Sequence, residues 1–108
     1  MNNWHDFIER LKLHGSRPAL RCNESFMTYD ELYRAVKQRS QKYKRIPKHS
    51  RIVVLIRNPL DEAIEILSVL SSGLVVVPVS LQYGTKRCGE IIADCAPAFA
   101  VSDLDWDH

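Results

Sequence analysis

The sequence predicts an α/β fold in which an N-terminal helix and a β-hairpin precede a short parallel sheet with strand-helix-strand-helix-strand order. From Arg51 to Asp103, apolar segments alternate with amphipathic ones about every 23 residues, which is typical of parallel strands joined by helical crossovers. Before Arg51, two short β-like segments flank the pair Asn23-Glu24, and this pattern indicates a hairpin. We expect residues 1–108 to form a single domain.

The composition is that of a globular chain with a core. Of its 108 residues, 45% are hydrophobic and 26% are charged, and the formal net charge is only +2. This balance does not favour a nucleic-acid partner, and the apolar segments are far shorter than the ~20 residues that span a bilayer. The first residues do not resemble a secretory signal, and three cysteines, an odd number, fit a reducing compartment. We therefore expect a cytoplasmic protein without a membrane span.

The first helix is predicted to begin at Asn3, the expected N-cap, and to end before Gly15. Its apolar side chains recur at helical spacing and share one face, which we expect to be buried. That face consists of Trp4, Phe7, Ile8 and Leu11. The hairpin that follows is predicted to pair Pro18–Cys22 with Ser25–Tyr29.

A second helix is predicted from Asp30, with Leu32, Val36 and Tyr43 on its buried side. Its opposite side is basic, because no acidic residue occurs between Glu31 and Asp61. Cations in such an array suit a phosphate backbone, but a single-strand binder would interleave them with aromatic rings. The favoured interpretation is a solvated helix face. The face comprises Arg34, Lys37, Gln38, Gln41, Lys42, Lys44 and Arg45.

The parallel sheet is predicted to begin with a buried strand at Arg51–Ile56. Asn58 then caps a third helix that carries Pro59 at its first position and runs to about Ser72. An apolar arc makes most of this helix buried, and its polar arc is expected to face outward. The apolar arc is Leu60, Ala63, Ile64, Ile66, Leu67 and Leu70, and the polar arc is Asp61, Glu65, Ser68 and Ser72.

The rest of the sheet follows the same pattern. After Gly73, Leu74–Val77 is predicted as a second buried strand with Pro78 at its end. Thr85 is the expected cap of the last helix, which ends before Pro97 and leads to a strand at Phe99–Ser102. The apolar stripe of this last helix is Cys88, Ile91, Ile92 and Cys95.

Ligands of parallel α/β sheets bind beyond the carboxyl ends of the strands, so a site is sought in the loops after Ile56, Val77 and Ser102. The first of these loops carries no glycine, and no dinucleotide or Walker fingerprint occurs. The second loop offers hydroxyl groups and bases at a helix N-terminus, where an anion binds weakly, although a capped helix start with solvated bases is the favoured interpretation. These residues are Ser80, Tyr83, Gly84, Thr85, Lys86 and Arg87.

Metal and nucleophile chemistry are not predicted. The four histidines are scattered, and none has a carboxylate or cysteine at metal-ligand spacing. Cys88 and Cys95 lie two helical turns apart, which is too far for a disulfide, and they are interpreted with Cys22 as structural thiols. We therefore assign no catalytic, cofactor-binding or metal-binding residue in this chain. The histidines are His5, His14, His49 and His108.

Two segments resemble core motifs of the adenylate-forming enzymes, the superfamily of acyl-CoA synthetases and nonribosomal-peptide adenylation domains. Met27–Leu32 is similar to the first motif, a Thr-Tyr-x-Glu-Leu segment that joins a hairpin to a helix. Leu70–Val79 is similar to the second motif, a helix end, a glycine, an apolar strand and a Val-Pro pair. The resemblance extends from Trp4 to about Asp103. Further matching positions are Pro18–Leu20, Arg51–Asn58, Arg87, Ile91 and Asp94.

The sequence also departs from the family pattern in three places. Lys48-His49-Ser50 replaces a usual Gly-Asp pair, Arg39 stands where an apolar residue is common, and Gly84-Thr85 stands where a proline is frequent. All the motifs present belong to the scaffold. The family's phosphate-binding loop, substrate pocket, ribose-binding aspartate and C-terminal lysine lie in segments that this sequence does not contain.

The resemblance implies the N-terminal scaffold portion of an ATP-dependent ligase that activates a carboxylic acid as acyl- or aminoacyl-AMP and transfers it to CoA or to a carrier-protein thiol. ATP and magnesium are expected for the complete enzyme, and this segment alone is expected to be inactive. The expected partner is the remainder of the enzyme or a complementary fragment. One alternative is a non-catalytic module that associates with itself, a carrier protein or the complementary enzyme fragment. Another is a free-standing nucleotide-binding domain, which an ATP titration would reveal.

Overall fold

A computed structural model describes residues 3–103, and it confirms the predicted α/β architecture. An N-terminal helix and an antiparallel hairpin precede a three-stranded parallel sheet with helices between its strands. Short 3-10 turns cover Gln41–Tyr43 and Leu81–Tyr83. The helices are α1 (Asn3–Leu11), α2 (Tyr29–Ser40), α3 (Pro59–Ser71) and α4 (Gly84–Cys95), and the strands are β1 (Pro18–Cys22), β2 (Ser25–Thr28), β3 (Arg51–Leu55), β4 (Val75–Pro78) and β5 (Phe99–Ser102).

The junction between the hairpin and α2 is fixed by a reciprocal cap. The Thr28 hydroxyl accepts a hydrogen bond from the Glu31 amide at 3.2 Å, and the Glu31 carboxylate accepts one from the Thr28 amide at 3.0 Å. This capping box satisfies two amides that a helix start leaves without a partner. The helix therefore begins at Tyr29, one residue before the predicted start and inside the segment predicted as strand.

Replacing Thr28 with alanine is expected to lower the free energy of unfolding by about 1 kcal/mol, the usual effect of losing an N-cap. Thr85→Ala is the matched control, because α4 has Tyr83 as its N-cap and no side-chain cap; its effect should stay within about 0.5 kcal/mol. Urea unfolding measures both variants. Equal losses would contradict the assignment of Thr28 as the cap.

The Glu31 carboxylate makes the stability that the capping box contributes depend on pH. The Thr28 backbone amide, followed by its hydroxyl, lowers the pKa of Glu31. A carboxyl group with a depressed pKa in the folded state stabilises the fold above its unfolded pKa, and this stabilisation disappears as the pH falls through the folded value. The difference in the free energy of unfolding between Thr28→Ala and the unmodified chain should therefore shrink as the pH falls.

The sheet has the order β4-β3-β5, so β3 is central and both of its neighbours run parallel to it. Successive side chains of a strand point to opposite faces. On one face, Ile52 and Val54 pack with residues of α3 such as Val69, while on the other face Val53 and Leu55 pack with Cys88 of α4. The two crossover helices therefore cover opposite faces of the sheet.

A separate cluster at the N-terminal end joins α1, α2 and α3 through Ile8, Leu11, Leu32, Val36 and Ile64. Together with the two clusters on the faces of the sheet, it gives three small cores in a flat molecule of 42 × 36 × 18 Å. Among residues 3–103, no helix is long and apolar enough to cross a membrane.

Several predictions for the first helix and for β4 are wrong in detail. Asn3 is itself helical and is not the cap. Trp4 and Phe7 are 43% and 47% exposed, because α2 and α3 cover only the part of α1 that carries Ile8 and Leu11. The β4 strand is not buried: it lies at an edge of the sheet, where Val75 is 44% exposed.

The polar arc predicted to face outward on α3 is partly buried. Glu65 and Ser68 are 1% and 0% exposed, since α2 packs against this side of the helix. Ser68 donates its hydroxyl to the carbonyl of Ile64 at 2.7 Å, and this bond satisfies its buried oxygen. The Asn58 cap and Pro59 at the start of α3 are confirmed, and Gly73 follows the end of this helix with a positive φ.

Candidate functional site

The carboxyl ends of β3 and β4 form a crevice. After β3 the chain crosses to α3 on one face of the sheet, and after β4 it crosses to α4 on the other face. The connections therefore diverge between these two strands, which is the switch point where open α/β sheets bind ligands. The cavity there has a volume of about 230 Å³.

The walls of the crevice come from the predicted loops after β3 and β4. Its floor is apolar and buried, formed by Leu55, Ile56 and Val79. Its rim carries both charges and polar groups. The rim residues are Arg57, Glu62, Ser80, Leu81 and Gln82.

The third predicted loop, after β5, contacts the first predicted loop, after β3. Asp103, which follows β5, accepts a hydrogen bond from the Arg57 amide at 3.1 Å, and its other carboxylate oxygen lies 4.0 Å from Arg57 Nε. The Arg57 side chain is 65% exposed, so this ion pair contributes little energy. Sequence reasoning missed Glu62, Gln82 and Asp103; the position of Asp103 directly after a predicted strand was the available signal.

The described crevice does not fit the triphosphate and magnesium ion that the resemblance implies. A phosphate cradle needs free backbone amides, but the Asn58 side chain already accepts from the amides of Leu60 and Asp61 at 3.0 and 3.1 Å. The Ser80 hydroxyl likewise accepts from the Gln82 amide at 3.2 Å. We therefore assign no phosphate contact to this rim.

The weak anion site proposed for the second loop is not assembled. The α4 helix begins at Gly84, so Thr85 lies inside the helix and is not its cap. Arg87 pairs with Glu90 at 3.2 Å on the surface, and Lys86 is exposed. These bases are solvated, as the favoured interpretation predicts.

A second cavity of about 280 Å³ lies where α1 meets the end of α2 and the end of α3. Lys37, Lys44 and Lys48 line it together with Glu9. Lys48 donates to the carbonyl of Ser72 at 2.7 Å, and Lys37 lies 3.9 Å from Glu9. Two of the three ammonium groups therefore already have partners, and the cavity does not select a class of ligand.

The predicted basic face is less solvated than expected, because one of its members, Lys42 in the 3-10 turn after α2, pairs with Glu65 of α3. Glu65 is the centre of a cluster that we call the Glu65 network. Arg39 lies 3.4 Å from one carboxylate oxygen, Lys42 lies 2.8 Å from the other, and the Tyr43 hydroxyl donates to that second oxygen. Arg39 also pairs with Asp61 at 2.8 Å. Burial, followed by the hydrogen bond to Glu65, raises the pKa of Tyr43.

Histidines and cysteines do not form a site in the described part of the chain. No group of three His, Cys, Asp or Glu side chains within residues 3–103 is placed to hold a metal ion, and His108 lies outside those residues. Cys22, Cys88 and Cys95 are free thiols. Cys88 is fully buried and donates to the carbonyl of Ser80 at 3.3 Å, which confirms that it lies in the core.

Comparisons with known proteins agree with the fold and its motifs. The family model described as AMP-binding enzyme matches residues 7–107. The N-terminal subdomain of NpsA from Klebsiella oxytoca is 20% identical, with a TM-score of 0.79 over 99% of this chain and 28% of that chain. VinN in complex with L-aspartate is 22% identical, with a TM-score of 0.82 over 94% of this chain and 30% of that chain.

A mutant form of coronafacic acid ligase from Pectobacterium brasiliense is 22% identical, with a TM-score of 0.83 over 96% of this chain and 21% of that chain. This chain thus spans less than a third of the length of each of these three structures. No curated protein matches it significantly. The family model covers nearly all of the sequence, and the chain therefore belongs to the family of AMP-binding enzymes.

Proposed function

We propose that this chain is the N-terminal scaffold portion of an ATP-dependent adenylate-forming ligase. The complete enzyme would join a carboxylic acid to AMP with release of pyrophosphate, and would then transfer the acyl group to the thiol of CoA or of a carrier protein. Residues 1–108 would form one structural unit of its N-terminal subdomain. They would be inactive alone, and ATP and magnesium would bind to the remainder of the enzyme.

The family match over residues 7–107 carries this proposal. The solved relatives support the chemistry: one is an artificially fused adenylation and carrier-protein di-domain from Klebsiella oxytoca, and another is a coronafacic acid ligase. The amides at the crevice rim that are bonded to Asn58, Ser80 and Asp103 support a scaffold role, because they are not free to bind phosphate. The free thiols support a location in the reducing cytoplasm.

The test begins with the DNA that follows codon 108. We expect it to encode, in the same frame or in an adjacent gene, a polypeptide with the Ser/Thr/Gly-rich phosphate loop and the C-terminal lysine. The purified 108-residue chain should show no ATP–pyrophosphate exchange with aryl, fatty or amino acids. Co-expression with the downstream polypeptide should restore exchange, and expression of the downstream polypeptide alone is the control.

Two outcomes would contradict the proposal. Exchange by the 108-residue chain alone would show that it holds a complete active site. Absence of any adenylating polypeptide downstream, or failure of the two parts to give exchange together, would remove the enzyme to which this scaffold is assigned.

A second candidate function is a non-catalytic module that associates with copies of itself. The open edges of the three-stranded sheet in the described residues favour it, because unpaired edges recruit other strands. Light scattering decides between the two functions: this module predicts a mass that rises with concentration, and a constant monomer mass would exclude self-association.

A further inference from the structure

Positive charge is concentrated on one side of the molecule. Residues 1–51 hold 12 of the 15 Lys and Arg residues but only 5 of the 13 Asp and Glu residues. The helices of this half, α1 and α2, pack together against α3, whereas α4 covers the opposite face of the sheet. Such a charge asymmetry between the halves of a chain indicates a negatively charged partner.

Much of this charge lies along the contact between α1 and α2. The ammonium groups of Lys12 and Lys37 lie 5.5 and 5.9 Å from the centroid of the Tyr33 ring. Lys37 also lines the 280 Å³ cavity, together with Lys44 and Lys48, so the cations continue from the end of α1 to the end of α3. We call this set the cationic seam; it comprises His5, Lys12, Lys37, Lys44 and Lys48.

Internal pairing neutralises little of the seam. Glu9 is the one acidic residue among residues 3–103 that lines the cavity, and its ion pair with Lys37, at 3.9 Å, is partly exposed and therefore weak. Lys48 donates to the Ser72 carbonyl at 2.7 Å, which leaves its charge in place. Lys12 and Lys44 are exposed and form no ion pair in the described part of the chain.

An exposed leucine lies at the Lys12 end of the seam. Leu13 is 77% exposed, more than any other large apolar side chain in residues 3–103. Its amide donates to the Arg10 carbonyl at 3.0 Å, and the Arg17 amide donates to the His14 carbonyl at 3.2 Å, so two further exposed cations follow the same turn. An acidic peptide or a nucleic acid would use the cations but not the leucine. Apolar side chains among cations are typical of proteins that bind anionic lipid surfaces.

We propose that the cationic seam binds the surface of an anionic membrane, with the Leu13 side chain inserted between the lipid headgroups. The ammonium groups then lie against the headgroup phosphates, and lysine suits this role because it is a point charge on a flexible stem. The association is peripheral and reversible, and it uses no membrane-spanning segment. It does not depend on the proposed function, since every residue involved belongs to this chain.

Sedimentation with sucrose-loaded vesicles tests the proposal. The 108-residue chain should sediment with vesicles of phosphatidylcholine and phosphatidylglycerol in low salt, but not with vesicles of phosphatidylcholine alone. Concentrated salt should release it, because the attraction between exposed charges is screened. Lys12→Gln and Lys44→Gln should each weaken partitioning into the anionic vesicles about fivefold, the usual contribution of one lysine near such a surface.

Matched variants on the opposite face of the sheet are the controls. Lys86→Gln removes the same charge from an exposed position of α4 and should leave partitioning within about twofold. Leu13→Ser should weaken partitioning at least about fivefold, while Tyr83→Ser, at a residue that is 60% exposed before α4, should not. Circular dichroism and urea unfolding verify that all variants are folded.

Three outcomes would overturn the inference. Equal binding to vesicles with and without phosphatidylglycerol, or no binding to either, would exclude the headgroup charge as the ligand. Equal losses in Lys86→Gln and in the two seam variants would show that net charge acts without a defined surface. If Leu13→Ser binds as the unmodified chain does and a single-stranded oligonucleotide displaces the vesicles, the seam binds a polyanion and not a membrane. Since pyrophosphate exchange is not measured, none of these outcomes bears on the proposed function.

Discussion

Replacing Glu65 with alanine is expected to lower the free energy of unfolding by about 3 kcal/mol, the lower end of what breaking a buried ion pair costs. The Glu65 carboxylate is 1% exposed and serves Arg39, Lys42 and Tyr43 together. Its loss leaves the buried Tyr43 hydroxyl without its acceptor and opens a small cavity between α2 and α3. The two cations are about one-third exposed, so water replaces part of what they lose.

Asp61→Ala provides the control, because Asp61 binds the same Arg39 at 2.8 Å but is 46% exposed. An exposed pair contributes about 0 to 1 kcal/mol, and salt screens it. Urea unfolding in low salt and in concentrated salt measures both variants. A Glu65→Ala loss no larger than that of Asp61→Ala would show that the network does not hold α2 against α3.

Tyr43 is expected to lower the free energy of unfolding at alkaline pH. Burial, the hydrogen bond to Glu65 and the negative charge of Glu65 raise the pKa of Tyr43 above its usual range near 10. Below that pH, the folded and the unfolded chain both keep the phenolic proton. Above it, the unfolded chain releases the proton while the folded chain retains it, so stability falls by up to about 1.4 kcal/mol per pH unit.

Tyr43→Phe should remove this contribution, and its unfolding free energy should depend less steeply on pH above 10 than that of the unmodified chain. Tyr83→Phe, at a tyrosine that is 60% exposed, is the matched control and should leave the slope unchanged. Absorbance at the phenolate band of the folded chain reports the titration directly. Identical slopes for Tyr43→Phe and the unmodified chain would refute the assignment.

Local signals were enough to predict the fold. Asn58-Pro59 marks a helix start by its own chemistry, and Gly73, with a φ of +77°, takes a left-handed conformation at the helix end that glycine adopts without strain. β-Branched segments such as Arg51–Leu55 are short and bounded by such markers. Alternating strands and helices then leave few topologies to consider, and the hairpin and parallel sheet were both predicted correctly.

Interactions between helices and strands were harder to predict from the sequence. Glu65 was predicted to face outward because helical spacing places it with Asp61. However, α2 supplies Arg39 on that side, and the 3-10 turn after α2 supplies Lys42 and Tyr43. Arg39, a departure from the usual apolar residue, was the one signal of a charge on α3. Thr85 was predicted as a cap by residue type alone, but the turn at Leu81–Tyr83 places the cap at Tyr83, two residues earlier.

The carboxyl-edge crevice could be located from the sequence, because strand order and crossovers determine where connections diverge. Its rim could not be predicted in full. Gln82 and Glu62 reach the rim only because the chain turns after Ser80 and because the first turn of α3 faces the cavity. Such placement depends on loop geometry that periodicity does not encode.

Pro78 has a consequence for copies of this chain at high concentration. Head-to-tail stacking of identical sheets, with β5 of one molecule against β4 of the next, is a heterologous contact that grows into a filament wherever its rotation does not close into a ring. Each such junction would use the outer edge of β4, where Pro78 has no N–H to donate. Every added molecule would therefore form one hydrogen bond fewer at this edge. The proline therefore acts against filament growth at this edge of the sheet.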